Sequence, residues 1–256
     1  MLATGGSYLE LIQPVSMSSP FATHIREQGE GLHHIGLWSG DVDLEVERLA
    51  EMDVPLADPE PRTGFTGRLS YLEPEAFDGV IVEVVEPDED LSGKSRPGGR
   101  IKRIDHVVLR VPDAGAISDR FGEYFGIETK RKFERGPAVF AFLRPGDVIM
   151  EVISQKDTGS SGPSTELSLD LSSGAFAERK AAAAKKPTSG RLAGLAFEVV
   201  EIDKLTASLK QKGYPVGDPH PALQGGRIVS VNPEGACGVP LAFIDFTDSP
   251  GPAPRK

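Results

Sequence analysis

Gly29-Glu30-Gly31-Leu32-His33-His34-Ile35-Gly36-Leu37-Trp38, followed by Asp41-Val42-Asp43, decides how this chain is read. The glycines mark a turn, the apolar run opening on a histidine reads as a strand, and the aspartates read as a helix start. The arrangement returns as Ile104-Asp105-His106-Val107-Val108-Leu109-Arg110-Val111-Pro112-Asp113 and as Leu192-Ala193-Gly194-Leu195-Ala196-Phe197-Glu198-Val199-Val200-Glu201. In each copy an acidic residue stands seven positions after His34, His106 or Gly194.

Outward from these strands, each copy predicts a helix and then two or three strands. After the first, Asp41 or Asp43 caps a helix running to about Met52, and β-rich runs follow at residues 69–72 and 80–85, separated by Pro74 and Gly79. After the second, residues 114–125 form a helix ended by Gly126, with strands at 127–133, 138–143 and 148–153. After the third, a helix at 203–212 precedes strands near 227–231 and 239–246. Ser19 and Pro20 open a further helix that Gly29 ends. Residues 157–189, rich in Ser, Gly, Ala and Lys, read as a linker with room for one helix at 175–186, and the Pro-rich tail 249–256 is expected to be disordered.

The first and third copies align closely. His34 and Gly194, Asp58 and Asp218, Pro59 and Pro219, and Pro61 and Pro221 are offset by 160 positions. Arg68 and Arg227, Pro74 and Pro233, and Gly79 and Gly238 are offset by 159, so one deletion relates the two and internal duplication is expected. Gly5, Glu10 and Ile12 match Gly146, Glu151 and Ile153 at an offset of 141. Residues 5–13 therefore read as the last strand of a module whose first part is absent. The expected organisation is an incomplete domain at 1–90 and a second, two-module domain at 101–248.

Composition limits the partners. A formal net charge of -10 argues against nucleic acid and anionic membrane, since phosphates need clustered Lys and Arg. One cysteine, Cys237, excludes an internal disulfide framework, and no run approaches the roughly 20 apolar residues of a membrane helix. With no signal-peptide pattern at the start, the expected location is the cytoplasm.

Each of the first two modules offers a histidine on its first strand and a glutamate in its last: His34 with Glu83, and His106 with Glu151. The third has Gly194 and Ala242 there. Imidazole and carboxylate suit a borderline divalent metal, and two facing pairs would make a two-histidine, two-glutamate cage. His33, next to His34 on a strand, is expected to point to the other side. His24 reads as solvated, His220 as a candidate replacement ligand, Trp38 as core or cavity wall, and Cys237 as packing. The glycine pairs Gly5-Gly6 and Gly225-Gly226 read as turns, because no phosphate-binding helix start follows.

This layout resembles the vicinal oxygen chelate (VOC) superfamily of glyoxalases, extradiol dioxygenases, bleomycin and fosfomycin resistance proteins and epimerases. Locally it is most similar to the methylmalonyl-CoA epimerases, through Leu9-Glu10-Leu11-Ile12-Gln13-Pro14, the stretch from Gly29 to His34, Asp58-Pro59-Glu60-Pro61-Arg62, and Gly79-Val80-Ile81-Val82-Glu83. The resemblance implies an α+β fold in which paired βαβββ modules form half-open mixed β-barrels. It makes Glu10, His34 and Glu83 three of four metal ligands, with Glu83 the candidate base, and matches His106 and Glu151 in the second barrel. The implied cofactor is a divalent metal ion (Zn, Co, Ni, Mn, Mg or Fe). The implied chemistry is isomerase or lyase action through an enolate on a small carbonyl or acyl-CoA substrate. The alternatives are a non-catalytic small-ligand binding protein and an extradiol-type dioxygenase. A fourth ligand could come from a second chain in a homodimer, or the first two modules could pool His34, Glu83, His106 and Glu151.

Overall fold

The computed structural model describes residues 2–88, 99–156, 188–222 and 225–247. The helix expected at 175–186 and the tail 249–256 lie outside these. The chain opens with a small antiparallel hairpin, β1 (Leu2–Ala3) and β2 (Tyr8–Leu9). This corrects the single strand expected through residues 5–13. The backbone N–H and hydroxyl of Thr4 both donate to the carbonyl of Ser7, closing a turn that folds the segment onto itself. Helix α1 (Pro20–Gln28) starts on proline and ends at Gly29, whose φ of 82° suits glycine.

Three βαβββ runs follow. The first is β3 (His34–Trp38), α2 (Val42–Glu51), β4 (Arg62–Thr63), β5 (Gly67–Tyr71) and β6 (Ile81–Pro87), with a short 3-10 turn at Pro74–Phe77. The second is β7 (Ile101–Arg110), α3 (Ala114–Phe125), β8 (Thr129–Arg135), β9 (Ala138–Leu143) and β10 (Ile149–Gln155). The third is β11 (Arg191–Val199), α4 (Ile202–Gln211), β12 (His220–Pro221), β13 (Arg227–Val231) and β14 (Leu241–Asp245).

The acidic residues after the first strands serve the helix starts in two ways. Asp41 and Asp113 accept hydrogen bonds from the first-turn amides of α2 and α3. At α4 the expected Glu201 instead adopts a left-handed conformation (φ 56°), and the carboxylate of Asp245 from β14 accepts from Ile202 N–H. Glu86 on β6 does the same for Val42.

In each run the first strand lies parallel to the last, giving a four-stranded sheet β3-β6-β5-β4 and an eight-stranded sheet β12-β13-β14-β11-β7-β10-β9-β8. The larger sheet joins two runs through the antiparallel pair β7 and β11, and its outer strands β12 and β8 are not paired to each other. It is the half-open mixed sheet expected, with no closed barrel.

Strand alternation decides what faces what. Val82 and Val84 of β6 and Met150 and Val152 of β10 share one buried cluster with residues of α2 and α3. Phe77 fills its centre, fully buried, with its ring 4.3 Å from that of Phe121. Arg48 bonds the Tyr124 carbonyl, and Arg120 bonds Ala76 O and Asp78. The first two runs are thus joined back to back through their helix-bearing sides. Glu83 and Glu151, one position out of phase with those valines and methionine, face away from each other. That excludes pooling of His34, Glu83, His106 and Glu151 in one site.

Candidate metal centre

On the face of the four-stranded sheet away from the shared core, His34 opens β3 and Glu83 lies mid-strand on β6. The registers pair His34 with Ile81 and Gly36 with Glu83, so His34 and Glu83 are two residues apart along one face. A Cβ on Gly36 would lie 3.0 Å from a Glu83 carboxylate oxygen, so glycine leaves the room that carboxylate occupies. Glu10, just beyond β2, reaches the same place. His34 Nε2 is 3.4 Å from Glu83 Oε1 and 3.7 Å from Glu10 Oε2, and one ligand atom from each of the three residues lies within 4.8 Å of the others. Among the described residues this is the one group of three or more His, Cys, Asp or Glu side chains that could hold a metal ion.

One imidazole and two carboxylates fit a divalent cation. Bonds of about 2.0–2.2 Å to such ligands place their donor atoms roughly 3–4 Å apart, which these separations approach. Glu83 is buried and His34 partly so, which keeps competing water from the donors.

Two residues that sequence reasoning missed or misplaced complete the centre. Tyr71 is the register partner of Glu83 across β5 and β6, and its hydroxyl is 3.4 Å from His34 Nε2. Burial, then the charge of Glu83 and a hydrogen bond to it, push the phenol pKa well up, so Tyr71 is a permanent donor. His33 does not point away. Its Nδ1 is 3.0 Å from His34 Nδ1, and its ring packs on those of His24 and Phe21. It precedes β3, outside the pleat on which the alternation argument relied. Burial first, then the neighbouring His34 and His24, lower its pKa to about 4, against a smaller upward pull from Glu83. His33 is therefore neutral at neutral pH, and its Nδ1 can accept a hydrogen bond from His34 Nδ1–H, the tautomer that leaves His34 Nε2 free to bind a cation.

The second pair is arranged differently. His106 Nδ1 bonds the Asp105 carboxylate at 2.9 Å, and burial raises the pKa of Glu151 while His106 pulls it down. Across the sheet from His106 stands Ala196. Among the described residues His106 and Glu151 belong to no group of three or more such side chains close enough together to hold a metal ion. His220 lies on the edge strand β12, its Nδ1 3.2 Å from the Asp218 carbonyl. Trp38 is partly exposed and stacks on Tyr8 at 5.6 Å, and Cys237 is exposed. No helix among the described residues is long and apolar enough to cross a membrane.

Comparison with known proteins agrees with this architecture. A protein of Bacillus subtilis (strain 168) known as YqjC is 34% identical over 87 residues, covering 34% of this chain and 62% of its own length. The mitochondrial methylmalonyl-CoA epimerase of Dictyostelium discoideum is 32% identical over 80 residues, covering 30% of this chain and 48% of its own length. The chain thus spans less than two thirds of the length of these curated relatives. Among solved structures, a mutant 4-hydroxymandelate synthase from Streptomyces coelicolor superposes over 93% of this chain and 77% of its own, with a TM-score of 0.62 at 14% identity, a likeness of fold. Residues 1–71 and residues 103–243 each match a family profile of the Glyoxalase/Bleomycin resistance protein/Dioxygenase superfamily, and the second alone spans more than half of the chain. The chain therefore belongs to that superfamily.

Proposed function

We propose that the chain is a divalent-metal-dependent isomerase or lyase acting on a small carbonyl compound or acyl-CoA thioester, with Glu10, His34 and Glu83 holding the ion. The observation that carries this reading is the convergence of these three side chains, from three separate segments, within 4.8 Å of one another. The name of the Dictyostelium relative, a methylmalonyl-CoA epimerase, supports the substrate class. A bound divalent ion would supply Lewis acidity toward a substrate carbonyl oxygen.

The protein's own groups do the rest. Three protein donors leave room for exogenous oxygen ligands. His34, held at Nδ1 by His33, is fixed in orientation. Tyr71 donates to Glu83 and steadies its carboxylate. In this reading Glu83, which is buried beside His34, would also accept the proton from the carbon next to a substrate carbonyl.

The test joins calorimetric titration with Co²⁺ or Zn²⁺ to proton exchange of methylmalonyl-CoA in D2O followed by NMR. Micromolar metal binding is expected in the parent chain, with a loss of at least about tenfold in His34→Ala. Exchange at the α-carbon is expected to fall about a hundredfold or more in Glu83→Gln. Failure to bind either ion, or unchanged binding in His34→Ala, overturns the metal assignment. Metal binding with no α-proton exchange leaves the non-catalytic binding reading.

A further inference from the structure

Arg62, on the edge strand β4, stands beside the metal cluster, and the proposed chemistry does not use it. It pairs across the strands with Leu69, two residues from Tyr71 on the same face of β5. Its guanidinium carbon lies over the Tyr71 ring, 5.5 Å from the centroid, and that ring is itself 5.5 Å from the ring of His34. One oxygen of the Asp58 carboxylate accepts from both Arg62 Nε and the Tyr71 backbone N–H, each at 3.1 Å. The ring and the carboxylate fix the guanidinium plane. Its two terminal nitrogens carry no hydrogen bond among the described residues, and the side chain is half-exposed.

The internal repeat separates site residues from scaffold residues. Asp43 and Arg68 recur as Asp203 and Arg227, and each arginine bonds the first-turn aspartate of its helix through both terminal nitrogens. Asp58, Pro59 and Pro61 recur as Asp218, Pro219 and Pro221. The cluster does not recur, since Gly194, Ser230 and Ala242 stand where the first run has His34, Tyr71 and Glu83. Arg62 is missing with them. The residue after Pro221 is Ala222, and the strand position opposite Ile228, the counterpart of Leu69, holds His220. In the second run Phe142 and Phe133 occupy the register positions of Tyr71 and Arg62. The arginine therefore accompanies the three-ligand cluster and not the module scaffold.

We propose that Arg62 sets specificity: the substrate of the metal centre carries a carboxylate close to its reacting carbonyl, and the terminal nitrogens of Arg62 hold that carboxylate. This rests on the reading of Glu10, His34 and Glu83 as a metal centre. Their two carboxylates offset the charge of a divalent ion, so an anionic substrate meets a further cation in Arg62. The planar guanidinium fork takes a carboxylate bidentately. Only the Tyr71 ring separates Arg62 from His34, so the anion belongs to the reacting end of the substrate and not to a phosphate at the far end of a CoA arm. With its carboxylate on Arg62 and its carbonyl toward the ligand cluster, a short substrate is held at two points, which fixes the carbon between them.

The experiment is calorimetric titration of the full chain, with and without Co²⁺, with the N-acetylcysteamine thioesters of methylmalonate and of isobutyrate. The two differ by one carboxylate in place of a methyl group, and neither carries a phosphate. In the Co²⁺-loaded parent the methylmalonyl thioester is expected to bind at least about tenfold more tightly. Arg62→Gln is expected to weaken the methylmalonyl thioester about tenfold or more and to leave the Co²⁺ affinity unchanged. Arg62→Lys, which keeps the charge without the fork, is expected to recover part of that loss. The proposal is overturned if neither thioester binds, if the isobutyryl thioester binds as tightly, if Arg62→Gln keeps the preference, or if it weakens both thioesters alike, as a merely structural arginine would. Failure to bind Co²⁺ overturns the metal assignment instead, and a carboxylate preference that persists without the ion and disappears in Arg62→Gln would keep the assignment of Arg62.

Discussion

Replacing Phe77 by alanine tests the back-to-back arrangement directly. Phe77 is fully buried, and its ring lies 4.3, 5.8 and 6.2 Å from those of Phe121, Tyr124 and Phe125, all on the helix of the second run. Truncating a buried phenylalanine costs about 3–5 kcal/mol, and lost aromatic pairing puts this site toward the upper end. Against a typical total of about 5–15 kcal/mol, that is a large fraction of stability. With a urea slope of about 3 kcal/mol per molar, the midpoint should fall by roughly 1–1.7 M. The chain has one tryptophan, Trp38, on β3, so its fluorescence reports the four-stranded half while far-UV circular dichroism reports the whole. Because the core spans both halves, the two probes should give coincident transitions in the parent, and both should move in Phe77→Ala. A shift below about 1 kcal/mol, or a fluorescence transition that moves while most of the dichroism signal stays, would refute the shared core.

Two further predictions concern titration. The folded pKa of His33, about 4, lies below the 6.5 of a free imidazole. Between those values the unfolded chain therefore binds more protons, and the contribution of this group is complete above 6.5 and lost as pH falls toward 4. NMR titration should find the ring neutral at pH 5.5, and a midpoint near 6.5 would contradict the assignment. Asp245 is mostly buried, which alone would raise its pKa, but hydrogen bonds from the side chain and backbone of Thr247 and from Ile202 N–H outweigh burial and hold it below the ordinary value. Its contribution is present above about pH 4 and disappears as the carboxylate protonates. Asp245→Ala should cost about 1–2 kcal/mol at pH 7 in urea unfolding, and a cost under about 0.5 kcal/mol would show that the cap of α4 does not depend on it.

Much of the fold was legible because the module pattern is written three times. The order of strand, helix and strands follows from the glycines, caps and apolar runs, and the residue types at positions 10, 34 and 83 carried the family pattern. Tyr71 was not legible, because its place beside Glu83 is set by the β5 and β6 register, which local sequence does not encode. His33 was misplaced because alternation holds only inside a strand, and β3 begins at His34. The packing of α2 and α3 across a common core was hidden as well. Each helix is amphipathic, and a single apolar stripe does not say how many partners it serves.

The two outward faces share one interior, and this has a thermodynamic consequence. Anything bound only by the folded chain adds to its stability by mass action, about 2.7 kcal/mol at a hundred times its dissociation constant. If Phe77 and its neighbours make unfolding a single event, an ion held by His34 would protect the strands of the second run from melting without touching them. A site on one face would then report on the other through the melting temperature alone.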